Sequence, residues 1–181
     1  MSATANRYTG TAIALHWLTA LFIVCGFVIG LWMTGLAFGP LKVRWYAYHK
    51  WIGITVFLLA VLRIAWRWRH PPPPQVPMPQ WQRRAAAATH LLLYALLFLI
   101  PLSGWMYSSA TGVSVAYLGL FPLPDLVARD KSLAAVLKGV HVTLNYTLLA
   151  LVCVHAGAAL KHHIVDRDGL LARMSPFARR A

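Results

Sequence analysis

Glutamate is absent from this 181-residue chain, and aspartate occurs only as Asp125, Asp130, Asp166 and Asp168. Charged residues make up 12% of the total, about half the ~25% of an ordinary soluble domain. So few charges cannot cover a globule of this size, which argues against a soluble protein. Cysteine is nearly absent too. Cys25 and Cys153 both fall inside apolar runs, where they read as small core residues rather than a disulfide or a redox pair. What the chain has instead is apolar and basic: 59% hydrophobic residues, seventeen Lys and Arg, and a net charge of +13. A nucleic-acid binder shares that sign, but its cations would not sit between apolar runs of twenty or more, so no nucleic-acid partner is expected. Length and composition point to one hydrophobic bundle in a lipid bilayer, with residues 1–181 as a single integral-membrane unit.

Four apolar runs cover residues 11–38, 45–66, 85–108 and 133–160. Each has about the ~20 residues that a helix needs to cross a ~30 Å hydrocarbon layer. The fold expected is an all-α membrane protein, a four-transmembrane-helix bundle with both termini on one side. The first run is too long for a signal peptide and has only Arg7 before it. The connections are equally legible. Residues 70–79, with Pro71 to Pro74, Pro77 and Pro79, form an extended linker. Gly39 and Pro40 break the chain between the first two spans. Residues 111–131, with Phe121, Pro122, Leu123, Pro124 and Asp125, form a longer, more apolar loop expected to fold back on the bundle mouth. Pro101, inside the third span, is expected to kink that helix and free a carbonyl.

Counting cations near the span ends sets the orientation. The side of the termini and proline linker holds Arg7, Arg63, Arg67, Arg69, Arg83, Arg84, Lys161, Arg167, Arg173, Arg179 and Arg180, eleven in all. The other side holds Lys42, Arg44, Lys50, Arg129, Lys131 and Lys138, six in all. Eleven against six places both termini in the cytoplasm. The outer side still carries six cations against Asp125 and Asp130, an excess of four that calls for a function.

Eight histidines are the chemical signal. Ionisable groups inside membrane spans are costly and mark functional sites by default. His70, His162 and His163 lie at span ends or in loops, whereas His16, His49, His90, His141 and His155 lie inside the runs. His141 and His155 are each seven residues from Leu148, the centre of the fourth span. At 1.5 Å per residue they sit roughly 10 Å either side of the midplane. Their separation is about 40° short of four full turns, so they share one helix face about 21 Å apart. By span direction, His49 joins His141 in the outer half, and His16 and His90 join His155 in the inner half. Two depths, each with imidazoles from more than one helix, match what two stacked haems with bis-histidine ligation require. Gly26, Gly30, Gly53, Gly104 and Gly157 would let backbone approach the ring faces. Zinc is disfavoured because no Asp or Glu lies at these depths. Covalent c-type attachment has no Cys-x-x-Cys-His motif to support it. The eight tryptophans mostly sit near span ends, as an interfacial belt does.

In order and spacing the chain resembles the bacterial cytochrome b561 family, specifically its superoxide oxidase branch. The pieces are Arg7-Tyr8 with His16-Trp17, His49 with Gly53, and Arg63 before the proline linker. They continue with His90 and Leu93-Tyr94, Pro101-Leu102-Ser103-Gly104, His141 and His155, His162-His163, and Leu171-Ala172-Arg173-Met174. The resemblance implies a multi-pass protein of the bacterial inner membrane that binds two haem b groups. It assigns His16 with His155 to the inner haem and His49 with His141 to the outer one. His90 is left as a buried polar residue or a propionate contact. It further implies a superoxide:quinone oxidoreductase that oxidises superoxide to dioxygen on the periplasmic side and reduces ubiquinone. Lys42, Arg44 and Lys138, with the other outer cations, would steer the anion, since focused positive potential raises encounter rates ~10–10³-fold. His162 would contact the quinone and supply protons, helped by Lys161 or Arg67, because imidazole titrates near neutral pH. The alternative is a cytochrome b subunit that anchors a soluble dehydrogenase or hydrogenase, which would bring a redox partner protein.

Overall fold

The structure, a computed structural model, describes residues 7–74 and 76–177. Gln75 of the proline linker, and Arg179 and Arg180 of the cation count, lie outside the described residues, as do residues 1–6 and 178–181 of the single unit expected above.

Four helices carry the chain: α1 (Gly10–Gly35), α2 (Pro40–Arg69), α3 (Gln80–Thr111) and α4 (Lys131–Lys161). All four are long and apolar enough to cross a membrane. Their ends differ from the apolar runs for a physical reason. Hydropathy stops at the first cations, but the backbone helix does not. Thus α2 starts five residues before the expected 45, at Pro40, whose ring suits a first helical turn where no N–H is needed. It runs on through Arg67 to Arg69. Conversely α1 stops at Gly35, and Phe38, expected inside the first span, lies beyond it and is 93% exposed. Polar side chains cap two starts. Thr9 Oγ1 accepts the Ala12 N–H at 3.3 Å, and the Asp130 carboxylate accepts the Ser132 and Leu133 N–H groups at 2.8 and 3.1 Å. The α3 helix runs unbroken through Pro101 and ends at Gly112, whose φ of 78° is the left-handed cap that glycine favours.

Packing follows chain order, α1 on α2, α2 on α3 and α3 on α4. One core cluster joins Val56 and Ala60 of α2 to Leu97 of α3, with Phe22 and Ile23 of α1 against it. A second joins Ala110 of α3 to Ala134 and Leu137 of α4. Among the described residues, α4 packs on α1 and α2 far less closely than on α3. Outward faces stay apolar. On α1, Leu21, Val24, Val28 and Leu31 recur at helical spacing and are 58–62% exposed. In water such a stripe would be a liability, but in hydrocarbon it is the expected surface.

The connection after α3 folds back as expected. A short hairpin pairs β1 (Ala116–Tyr117) with β2 (Phe121–Pro122). Trp51 Nε1 of α2 donates to the Ala116 carbonyl at 2.7 Å, and Trp105 Nε1 of α3 donates to the Pro124 carbonyl at 3.0 Å. At the opposite end, α4 continues into a π-helical turn (His162–Asp166) and a short 3₁₀ turn (Leu171–Arg173). This tail crosses the start of α1 and the proline linker. Trp17 Nε1 donates to the Met174 carbonyl at 2.8 Å, Arg7 donates to the Ser175 carbonyl, and Arg173 donates to the Pro74 carbonyl. Residue 7, the linker and the tail therefore share one end of the bundle.

Candidate haem-binding site

Between α4 and the α1–α2 pair, histidine rings face one another. The His49 ring on α2 and the His141 ring on α4 have centroids 6.3 Å apart. The His16 ring on α1 and the His155 ring on α4 are 6.2 Å apart. The two pairs lie at the two depths that the fourteen-residue spacing on α4 sets. His90 on α3 comes closer to His155, at 5.2 Å. These separations discriminate. A metal–imidazole bond is about 2 Å, and the ring centroid lies roughly 1 Å behind the nitrogen. Two imidazoles on opposite faces of one metal therefore put their centroids roughly 6 Å apart. The 6.2 and 6.3 Å pairs match that span; the 5.2 Å His90 contact falls short of it.

The surroundings are shaped for a large flat apolar group. A cavity of about 690 Å³ surrounds the outer pair, bounded by Phe22, Phe27, Ile52, Val56 and Leu97, with His49 and His141 in its wall. That is within the ~300–1,000 Å³ of small-molecule sites. His49 Nδ1 is buried and has no hydrogen-bond partner among the described residues. Two of the five glycines named from the sequence touch rings. A Cβ on Gly104 would stand 2.9 Å from His141 Cε1, and one on Gly30 would stand 3.1 Å from His49 Cε1. Gly26 instead faces Ile52, while Gly53 and Gly157 have no atom within 4 Å.

Besides His70, whose Nδ1 lies 3.3 Å from the Trp66 carbonyl, three histidines have partners at Nδ1. His141 Nδ1 lies 3.1 Å from the Ile100 carbonyl and 3.1 Å from Ser103 Oγ. His16 Nδ1 lies 3.2 Å from Arg63 Nη2, and the Arg63 guanidinium lies 5.3 Å from the Tyr94 ring centroid. His162 Nδ1 faces Asp168 Oδ2 at 2.6 Å and Asp166 Oδ2 at 3.2 Å. Arg63, Asp166 and Asp168 were not read as site residues from the sequence. Arg63 carried a usable signal, a cation inside the second apolar run, but it was spent on the topology count. The aspartates carried none, since only the turn after α4 brings them to His162.

The outer cations divide. Lys42 and Lys50 line the outer cavity; Arg44 and Lys138 do not. Lys42 also donates to the Leu36 and Thr34 carbonyls at 2.8 and 3.3 Å, where a cation satisfies the free end of α1. Of the inner groups, Lys161 is engaged with Asp166 at 2.6 Å, and Arg67 is exposed.

Four spans with paired imidazoles between them describe a membrane cytochrome. Residues 7–177 match the family described as prokaryotic cytochrome b561, and the chain belongs to that family. It is 37% identical over 178 residues to cytochrome b561 homolog 2 of Escherichia coli (strain K12), covering 94% of this chain and 92% of the relative. Cytochrome b561 homolog 1 of the same organism is 33% identical, over 94% of this chain and 98% of that one. A probable superoxide oxidase CybB of Yersinia pestis is 29% identical, over 96% and 98%. Membership brings membrane electron transfer and haem b as the cofactor. The interhelical imidazoles, the orphaned His49 nitrogen and the apolar cleft fit that cofactor.

Proposed function

We propose that this chain is a superoxide:ubiquinone oxidoreductase of the bacterial inner membrane, with both termini cytoplasmic, and that it holds two haem b groups. His49 and His141 hold the outer one, and His16 and His155 the inner one. The observation that carries this reading is the pair of ring separations, 6.3 and 6.2 Å, at two depths of one cleft. When bound, haem b would supply a one-electron carrier held by these imidazoles. The chain's own residues do the rest. Two superoxide anions each lose one electron and leave as dioxygen, while one ubiquinone takes up two electrons and two protons to become the quinol. Lys42, Arg44 and Lys138 raise the local concentration of the anion, and Lys50 carries positive charge into the cavity wall. At the inner end, His162 contacts the quinone and delivers protons, with Asp168 behind its Nδ1. The name borne by the Yersinia relative supports the substrate, and the excess of outer cations supports the side it comes from.

Stopped-flow mixing of superoxide with the oxidised, purified protein tests this directly. Reduction followed by absorbance should run near the diffusion limit and slow as salt rises. A slow or salt-independent reaction would rule out steering of superoxide by the outer cations. Stable co-purification of a dehydrogenase or hydrogenase polypeptide would favour the anchoring-subunit alternative instead.

A further inference from the structure

Ser103 lies inside the membrane span of α3, is 7% exposed, and has two polar neighbours. Its hydroxyl donates to the Ile100 carbonyl at 2.8 Å and lies 3.1 Å from His141 Nδ1. His141 Nδ1 is itself 3.1 Å from the same carbonyl. The three atoms form a closed triangle, and proton counting leaves one arrangement. A carbonyl oxygen only accepts, so a bare Nδ1 beside it would set two lone pairs against each other. The Nδ1 proton is therefore present and shared between the Ile100 carbonyl and the Ser103 oxygen. Neutral imidazole carries one ring proton, so Nε2 keeps its lone pair. His49 and His16 have no such arrangement among the described residues. His49 Nδ1 has no partner, and His16 Nδ1 faces the Arg63 guanidinium, which only donates.

We propose that Ser103 is a positioning residue for His141: with the Ile100 carbonyl it fixes the tautomer and tilt that aim Nε2 into the outer site, making His141 the pre-organised member of its pair. The inference rests on the reading of His141 as an outer ligand. Outer-shell partners of this kind fix ring orientation, and their loss typically costs ~10–100-fold in metal affinity. Gly104, the next residue, completes the seat by leaving room for the ring.

The test uses holoprotein purified with its haem: wild type, S103A, S103T, S109A and H141A. Ser109 is another buried α3 serine, whose hydroxyl donates to the Trp105 carbonyl and makes no hydrogen bond to a histidine among the described residues. The readouts are haem per chain, haem transfer to excess apomyoglobin, and the low-spin electron paramagnetic resonance signals. S103A should lose one haem to apomyoglobin ~10–100-fold more readily, with only that haem's signal shifted. S103T, which keeps the hydroxyl, and S109A should match wild type. Wild-type transfer and signals in S103A would overturn the proposal. So would a shifted signal in S103T beside an unchanged S109A, because bulk rather than the hydroxyl would then matter. If S103A does not accumulate, S103T decides alone by the same two outcomes. Retention of both haems by H141A would refute the ligand reading itself. Loss of one by H141A, with S103A like wild type, would refute only the role of Ser103.

Discussion

Replacing Gly104 by alanine adds one methyl group where the structure has no room for it. The new Cβ would stand 2.9 Å from His141 Cε1, 3.2 Å from Nδ1 and 3.6 Å from Nε2. Ordinary contact begins near 3.4 Å, so the ring must retreat by about half an ångström. It cannot retreat freely, because its Nδ1 is held by the Ile100 carbonyl and Ser103. Overpacking of this kind costs about 1–3 kcal/mol. Spent on the ligand pair, that is about 5- to 150-fold in outer haem affinity. Gly30→Ala should act in the same direction but more weakly, since its Cβ would be 3.1 Å from His49 Cε1, and His49 Nδ1 lacks a tether. Gly139→Ala, two residues before His141 with nothing within 4 Å, serves as the control. The assay is haem loss to excess apomyoglobin from purified holoprotein, followed spectrally. The expected order is Gly104→Ala fastest, then Gly30→Ala, then Gly139→Ala with wild type. If Gly104→Ala releases haem no faster than Gly139→Ala, His141 does not seat an axial ligand against α3.

Two further outcomes follow from the two ends of the bundle. If ~10–10³-fold steering were shared equally by six outer cations, each would contribute about 1.5- to 3-fold. Lys50→Gln, in the cavity wall, should slow superoxide-driven reduction by at least that much, and Lys138→Gln, outside it, by less; equal effects would argue against the cavity as the point of arrival. At the inner end, burial pushes the Asp168 carboxyl up, but hydrogen bonds from the Leu170 N–H and from His162 outweigh it and hold the group below the usual carboxylate range. A depressed folded value means that its contribution is present above the unfolded pKa of about 3.9 and lost as pH falls through the folded one. Amide protection factors in residues 162–175, taken against the intrinsic exchange rate at each pH, should therefore hold as pH falls towards about 4 and drop below it. Asp168→Asn should lower them already at pH 7.

The spans were legible because the bilayer imposes one length and one polarity on every crossing helix, and this chain repeats that pattern four times. The histidine depths followed from α4 alone, since the rise and rotation of a helix place His141 and His155 without any knowledge of the neighbours. The partners did not follow. Spacing left His16 and His90 equally able to meet His155; the family resemblance points to His16, and the ring separations of 6.2 and 5.2 Å support that choice. Neither did the shell behind the ligands. The Ser103–Ile100–His141 triangle needs α3 and α4 in register, and the Asp168–His162 contact needs a turn that no hydropathy pattern shows. Lys42 marks another limit: a cation counted as part of a field proves also to satisfy the carbonyls at the end of α1. Charge alone says what sign a surface has, not what each charge already touches.

The central claim is that two pairs of histidines, His16 with His155 and His49 with His141, each hold one haem b. Its most direct measurement is an optical redox titration of the wild type beside His→Ala variants at 16, 49, 90, 141 and 155, with haem counted per chain. Two haems are expected in the wild type and in the 90 variant, and one in each of the other four. Loss of a haem from the 90 variant, with both retained by the 16 variant, would contradict it.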